Sequence, residues 1–121
     1  MKVVLRNPNA PDGRQHWSLT VGCDYEVLGI ECDDYRLLDD TGKPFVFDAV
    51  CFQITDPQEP AFWVSEVGEE GERYAYPPGW GVVGFFEAWH DGVEIVRRVF
   101  TEQLRAWYPE TAQGRRIKRC T

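Results

Sequence analysis

The chain has 121 residues, 43% hydrophobic and 14% aromatic, which suits one domain with a packed core and excludes wholesale disorder. Thirteen Lys and Arg stand against 20 Asp and Glu, a net charge of −7, so a phosphate backbone or an anionic membrane is disfavoured as the main partner. No apolar run reaches the ~18 residues of a membrane helix, and residues 1–13 lack the pattern of a signal peptide, so a cytoplasmic protein is expected.

Residues 2–6 alternate weakly and predict a short strand, ended by a loop rich in turn formers around Pro8, Pro11 and Gly13. Residues 19–22 and then 24–31 follow as strand-like segments; in the second, Tyr25, Val27 and Gly29 share one face, with Leu28 and Ile30 on the other. Residues 35–39 and 45–47 predict a hairpin closed by Asp40-Thr41-Gly42-Lys43, where Gly supplies the positive φ of a tight turn. One helical turn over 48–50 leads to a last strand over 51–55, ended by Asp56-Pro57. With its TVGCDYEVLGI opening and its YRLLDDTGKPFVF hairpin, the stretch 19–56 resembles the SH3-like barrel superfamily over about a third of the chain. The resemblance implies a small antiparallel barrel or curled sheet; a plain antiparallel meander has a similar pattern.

After Pro60, residues 62–66 and 73–76 flank Gly68-Glu69-Glu70-Gly71 and predict a second hairpin with a charged tip. Pro77-Pro78-Gly79 breaks it, and 85–90 predicts a short helix. Asp91 and Glu94 have the spacing of a capping box at the start of a helix over 93–107. Val96, Val99, Phe100, Leu104 and Trp107 form its apolar stripe, expected to pack on the sheet, while Glu94 and Arg98 pair on the outer side. Residues 111–121, which include Arg115-Arg116-Ile117-Lys118-Arg119, predict a flexible basic tail. The fold class is therefore α+β, a single domain over 1–121 with its core in about 1–110.

Gly79-Trp80-Gly81-Val82-Val83-Gly84 matches GxGxxG by letter, but no parallel βαβ unit surrounds it and Trp80 would crowd a pyrophosphate. Cys23, Cys32, Cys51 and Cys120 contain no CxxC pair, and His16 and His90 are the two imidazoles, a poor set for zinc. The first three cysteines read as small core hydrophobes. His90-Asp91 could join Cys51 or Ser65 in a nucleophilic triad, but Asp91 is better used as a helix cap. No catalytic residue, metal ligand or cofactor is assigned.

What remains is a binding surface. Residues 20–72 hold fourteen acidic and two basic residues, a local balance of −12. The pairs Asp33-Asp34, Asp39-Asp40 and Glu69-Glu70 fall near predicted turns; the plain reading is solvated loop charge, the functional one an electrostatic docking face. Trp63, Tyr74, Tyr76 and Trp80 are concentrated in a Pro-rich stretch and are expected to add interface anchors, Trp80 being the one expected to be exposed. A short acidic chain with a closing helix resembles small bacterial proteins that neutralise toxins. The resemblance implies an immunity or inhibitor protein binding a basic toxin or enzyme. The alternatives are an SH3-like adaptor or nucleic-acid accessory module using the basic tail, and a small enzyme with an unrecognised site. The sequence leaves the oligomeric state open.

Overall fold

The computed structural model describes residues 1–114. In chain order the strands are β1 (Lys2–Leu5), β2 (Asp24–Glu26), β3 (Gly29–Glu31), β4 (Asp34–Leu38), β5 (Pro44–Phe47), β6 (Phe52–Asp56), β7 (Val64–Val67) and β8 (Arg73–Tyr76). The helices are α1 (Phe85–His90), α2 (Glu94–Trp107) and α3 (Pro109–Ala112), with one 3₁₀ turn at Ala49–Cys51. The class is α+β. All strand pairing is antiparallel, in a three-stranded sheet of order β2-β1-β6 and a five-stranded sheet of order β5-β4-β3-β8-β7.

The expected strand over 24–31 is therefore two strands in two sheets, and the sheets do not close into one barrel. The break has a packing cause. Val27 and Leu28 are both fully buried, and successive side chains of an extended chain point opposite ways. Val27 enters a core with Val3, Leu5, Ile30, Leu37 and Phe47, whereas Leu28 enters a second one with Trp80, Phe86, Phe100 and Leu104. The backbone changes ladders at the same point: Val27 N–H donates to Met1 O (2.9 Å) and Leu28 N–H to Arg36 O (2.8 Å). Residues 19–22 form a turn instead of the expected strand.

Three hairpins, β3–β4, β4–β5 and β7–β8, hold the five-stranded sheet. At the β4–β5 turn, Asp39 Oδ1 accepts from Thr41 N–H (2.9 Å), Thr41 Oγ1 (2.6 Å) and Lys43 N–H (3.0 Å), and Gly42 takes a φ of 82°. The β3–β4 turn has Cys32 and Asp33 at φ 49° and 67°, both left-handed as a tight two-residue hairpin requires. Cys32 is thus exposed at a turn, not in the core; Cys51 is buried as expected, and Cys23 is buried but is not a free thiol.

The helical layer covers part of the outer face of the five-stranded sheet, over Leu28, Leu38 and Tyr76. Phe100 and Leu104 of α2 are buried, while Val96, Val99 and Trp107 are half-buried along the same stripe. Arg98 donates to Glu94 (3.1 Å) on the exposed side. The capping box is a misreading: the residue before α2 is Val93, with no side-chain cap. Asp91 and Gly92 instead end α1. Gly92, at φ 80°, donates to Trp89 O (3.1 Å) and Val93 N–H donates to Ala88 O (3.0 Å), which is a Schellman ending. Beyond α2, Pro109 starts the short α3, where a fraying tail was expected from 111; residues 115–119 lie outside the described residues. No helix among the described residues is long and apolar enough to cross a membrane.

Candidate functional site: an acidic groove beside an edge strand

Register decides which side chains share the outer sheet face. Val64 pairs with Tyr76, Glu66 with Tyr74, Ile30 with Ala75, and Gly29 with Arg36. Because side chains alternate, Ala75 and Ile30 face the inner core, and Val64, Glu66, Tyr74, Tyr76, Glu31 and Arg36 face outward. The loop over 77–84 and Glu87 of α1 rise opposite them, and the two walls enclose a groove of about 850 Å³.

The floor is a fixed polar cluster. Arg36, though 6% exposed, donates through Nε to Tyr76 Oη (2.8 Å), through Nη1 to Pro44 O (2.9 Å) and through Nη2 to Glu31 Oε1 (3.0 Å). Its guanidinium also lies 3.8 Å from the Phe86 ring centroid. Tyr76 Oη donates to Glu31 Oε1 (2.9 Å), and burial pushes its phenol far above the usual tyrosine range, so it stays a donor. Gly29 makes room for it: a Cβ there would meet the Tyr76 ring at 2.2 Å.

The rim differs from the floor. Glu66 and Glu87 are exposed, and among the described residues neither forms an ion pair. Val64, Val82 and Val83 are exposed beside them, Val83 completely. The groove therefore offers carboxylates and bare aliphatic surface together. Chemically that suits a cationic, partly apolar ligand.

The expected site residues fall in several places. Tyr74 and Tyr76 line the groove, Tyr74 half-buried and Tyr76 buried. Trp80 corrects its expectation: it is 1% exposed, with Nε1 donating to Gln103 Oε1 (2.7 Å) and rings from Phe85, Phe86, Phe100, Trp107 and Tyr108 around it. It forms the centre of the second core because α2 needs a large apolar partner there. Trp63 is also buried and donates to Tyr108 Oη (2.7 Å).

The acidic pairs mostly hold turns. Asp33 Oδ1 accepts from Arg73 N–H (3.0 Å), and Asp34 Oδ1 from Ala49 N–H (2.9 Å), at the start of the 3₁₀ turn. Asp39 is buried in its turn, and Asp40 accepts from Tyr25 Oη (2.8 Å) and Thr20 Oγ1 (2.7 Å). Glu69 and Glu70 are exposed at the β7–β8 tip, outside the groove lining.

Sequence reasoning missed Glu31, Arg36, Glu66 and Glu87, which belong to four separate elements and converge only through register. Val82-Val83 had a readable signal, two β-branched residues in a Gly-flanked loop where no periodicity calls for a core. Trp17 was missed as well. It is 82% exposed on the long loop before β2, beside a smaller depression of about 470 Å³. That depression also holds Arg14 and Lys43, and its Asp34 and Asp39 are engaged with backbone, which makes it a weaker acidic surface than the groove.

His90 Nε2 lies 3.0 Å from Pro44 O and its ring stacks on Phe45, while Cys51 Sγ donates to Asn9 O (3.5 Å). These partners do not assemble a triad. The GxGxxG letters form a loop between β8, which is antiparallel to its neighbours, and α1. No protein-family model, curated protein or solved structure matches the chain.

Proposed function

We propose that this protein is a non-catalytic binding module, an immunity or inhibitor protein that occupies a basic toxin or enzyme through the groove. The observation that carries the reading is the rim: Glu66 and Glu87, without ion pairs among the described residues, set beside exposed Val64, Val82 and Val83. Carboxylates across 20–72 supply long-range attraction, which raises the association rate that an inhibitor needs. The aliphatic wall and Tyr74 supply the desolvated surface that slows dissociation. The proposal keeps the SH3-like resemblance of 19–56 as a kinship of pattern, and it moves docking from the Asp33–40 turns to the groove.

The test is capture of the partner from native cells, followed by surface-binding kinetics. Glu66→Gln with Glu87→Gln should slow association and flatten its salt dependence, whereas Tyr74→Ala should mainly speed dissociation. Association indifferent both to salt and to the two Glu changes would defeat the proposal.

A further inference from the structure

The five-stranded sheet ends at β7, and its outer edge is uncovered: all four residues of the strand are exposed. The hydrogen-bonding phase of that edge follows from the turn. Gly68 N–H donates to Glu72 O (2.7 Å), so 68 and 72 are a bonded pair. Bonded and non-bonded pairs alternate along an antiparallel ladder. Glu66–Tyr74 and Val64–Tyr76 are then bonded pairs, and the N–H and C=O groups of Ser65 and Val67 point away from β8 along the free edge. The side chains of Val64 and Glu66 meanwhile face the groove.

Resting on the function proposed above, we infer that the partner enters as an extended basic segment that pairs with β7 as a ninth strand. Such a strand would bond through Ser65 and Val67 and would present alternate side chains to the groove. A Lys or Arg opposite Glu66 meets a carboxylate that has no ion pair among the described residues, and an aliphatic residue opposite Val64 meets the Val82-Val83 wall. A second copy of this chain is a poor occupant. Pairing β7 antiparallel with itself through both Ser65 and Val67 would set Glu66 directly opposite the Glu66 of the other copy, and like charges across a ladder repel.

The probe is the end-blocked peptide Thr-Val-Thr-Lys-Thr-Val, which puts its Lys and both Val on one face in either strand direction, with its Glu-for-Lys counterpart and a version N-methylated at alternate residues. Binding to the whole protein is followed by amide NMR. The Lys peptide should slow exchange of the Ser65 and Val67 amides. N-methylation should weaken it at least tenfold. Val67→Pro should do the same while leaving the melting temperature in place, since Pro on an edge strand removes an outward N–H. Binding that prefers Lys to Glu yet ignores both N-methylation and Val67→Pro would overturn strand addition and leave the acidic groove standing. No preference for Lys over Glu would overturn both. Concentration-dependent dimerisation that protects Ser65 and Val67 without peptide would assign the edge to a second copy.

Discussion

Tyr108 joins three parts of the molecule through one hydroxyl. Its Oη accepts from Trp63 Nε1 (2.7 Å) and donates to Leu28 O (3.0 Å), and all three residues are buried. Tyr108→Phe keeps the ring but orphans a buried indole N–H and a buried carbonyl, so it should cost about 1–3 kcal/mol in urea denaturation. Glu26 makes the opposite kind of prediction. Burial pushes its carboxyl above the usual glutamate range, opposed by the hydrogen bond from Thr111 Oγ1 (2.7 Å). A carboxyl whose folded pKa is raised contributes stability below its unfolded pKa and loses it as pH rises through the folded value. At pH 7 the ionised group therefore costs stability. Glu26→Gln should raise the melting temperature at pH 7, and the gain should vanish as pH falls below about 4. A variant less stable than the parent at pH 7 would mean that Lys2 and the amino terminus outweigh desolvation. Neither residue was singled out from the sequence, because a buried hydroxyl or carboxylate is identified only by partners 45 to 85 positions away.

Among the elements, the α1–α2 joint separates two readings of one motif. As a capping box, Asp91 would stabilise α2; as a Schellman ending, Gly92 stabilises α1. Gly92→Ala should therefore cost about 1 kcal/mol or more, since an L side chain is strained at φ 80°. Asp91→Ala should leave the melting temperature nearly unchanged. The reverse ranking would restore the cap. The hairpins at 34–47 and 64–76, the short helix and the long one were legible because period, Gly and Pro agree locally. The turn at Cys32-Asp33 was not. It has neither Gly nor Asn, and its left-handed residues are held by Asp33 bonding Arg73 through both its N–H and its carboxylate. Pairing of β1 between β2 and β6 was hidden for a related reason: it joins the first residues to positions 24–26 and 52–56, with no local signal.

At the scale of the whole molecule, the acidity was legible but its placement was not. Composition shows an excess of carboxylates; the fold assigns Asp33, Asp34, Asp39 and Asp40 to turns and leaves Glu66 and Glu87 on a groove rim. Aromatic density around 63–80 pointed near the groove for the wrong reason, since Tyr76 and Trp80 build the second core beside it, Trp63 is buried in the first core, and Tyr74 stays half-exposed. The exposed tryptophan is Trp17, on a loop with no periodic neighbours to flag it. Two surfaces could dock the proposed partner, and the groove is the one proposed, because its rim carboxylates have no ion pair among the described residues. The most direct test is a hydrogen-exchange footprint of the complex with the partner captured from native cells. Protection should concentrate on 64–67, 74 and 81–84. Protection centred on 14–18 and 45–47, the surface around Trp17, would contradict the account.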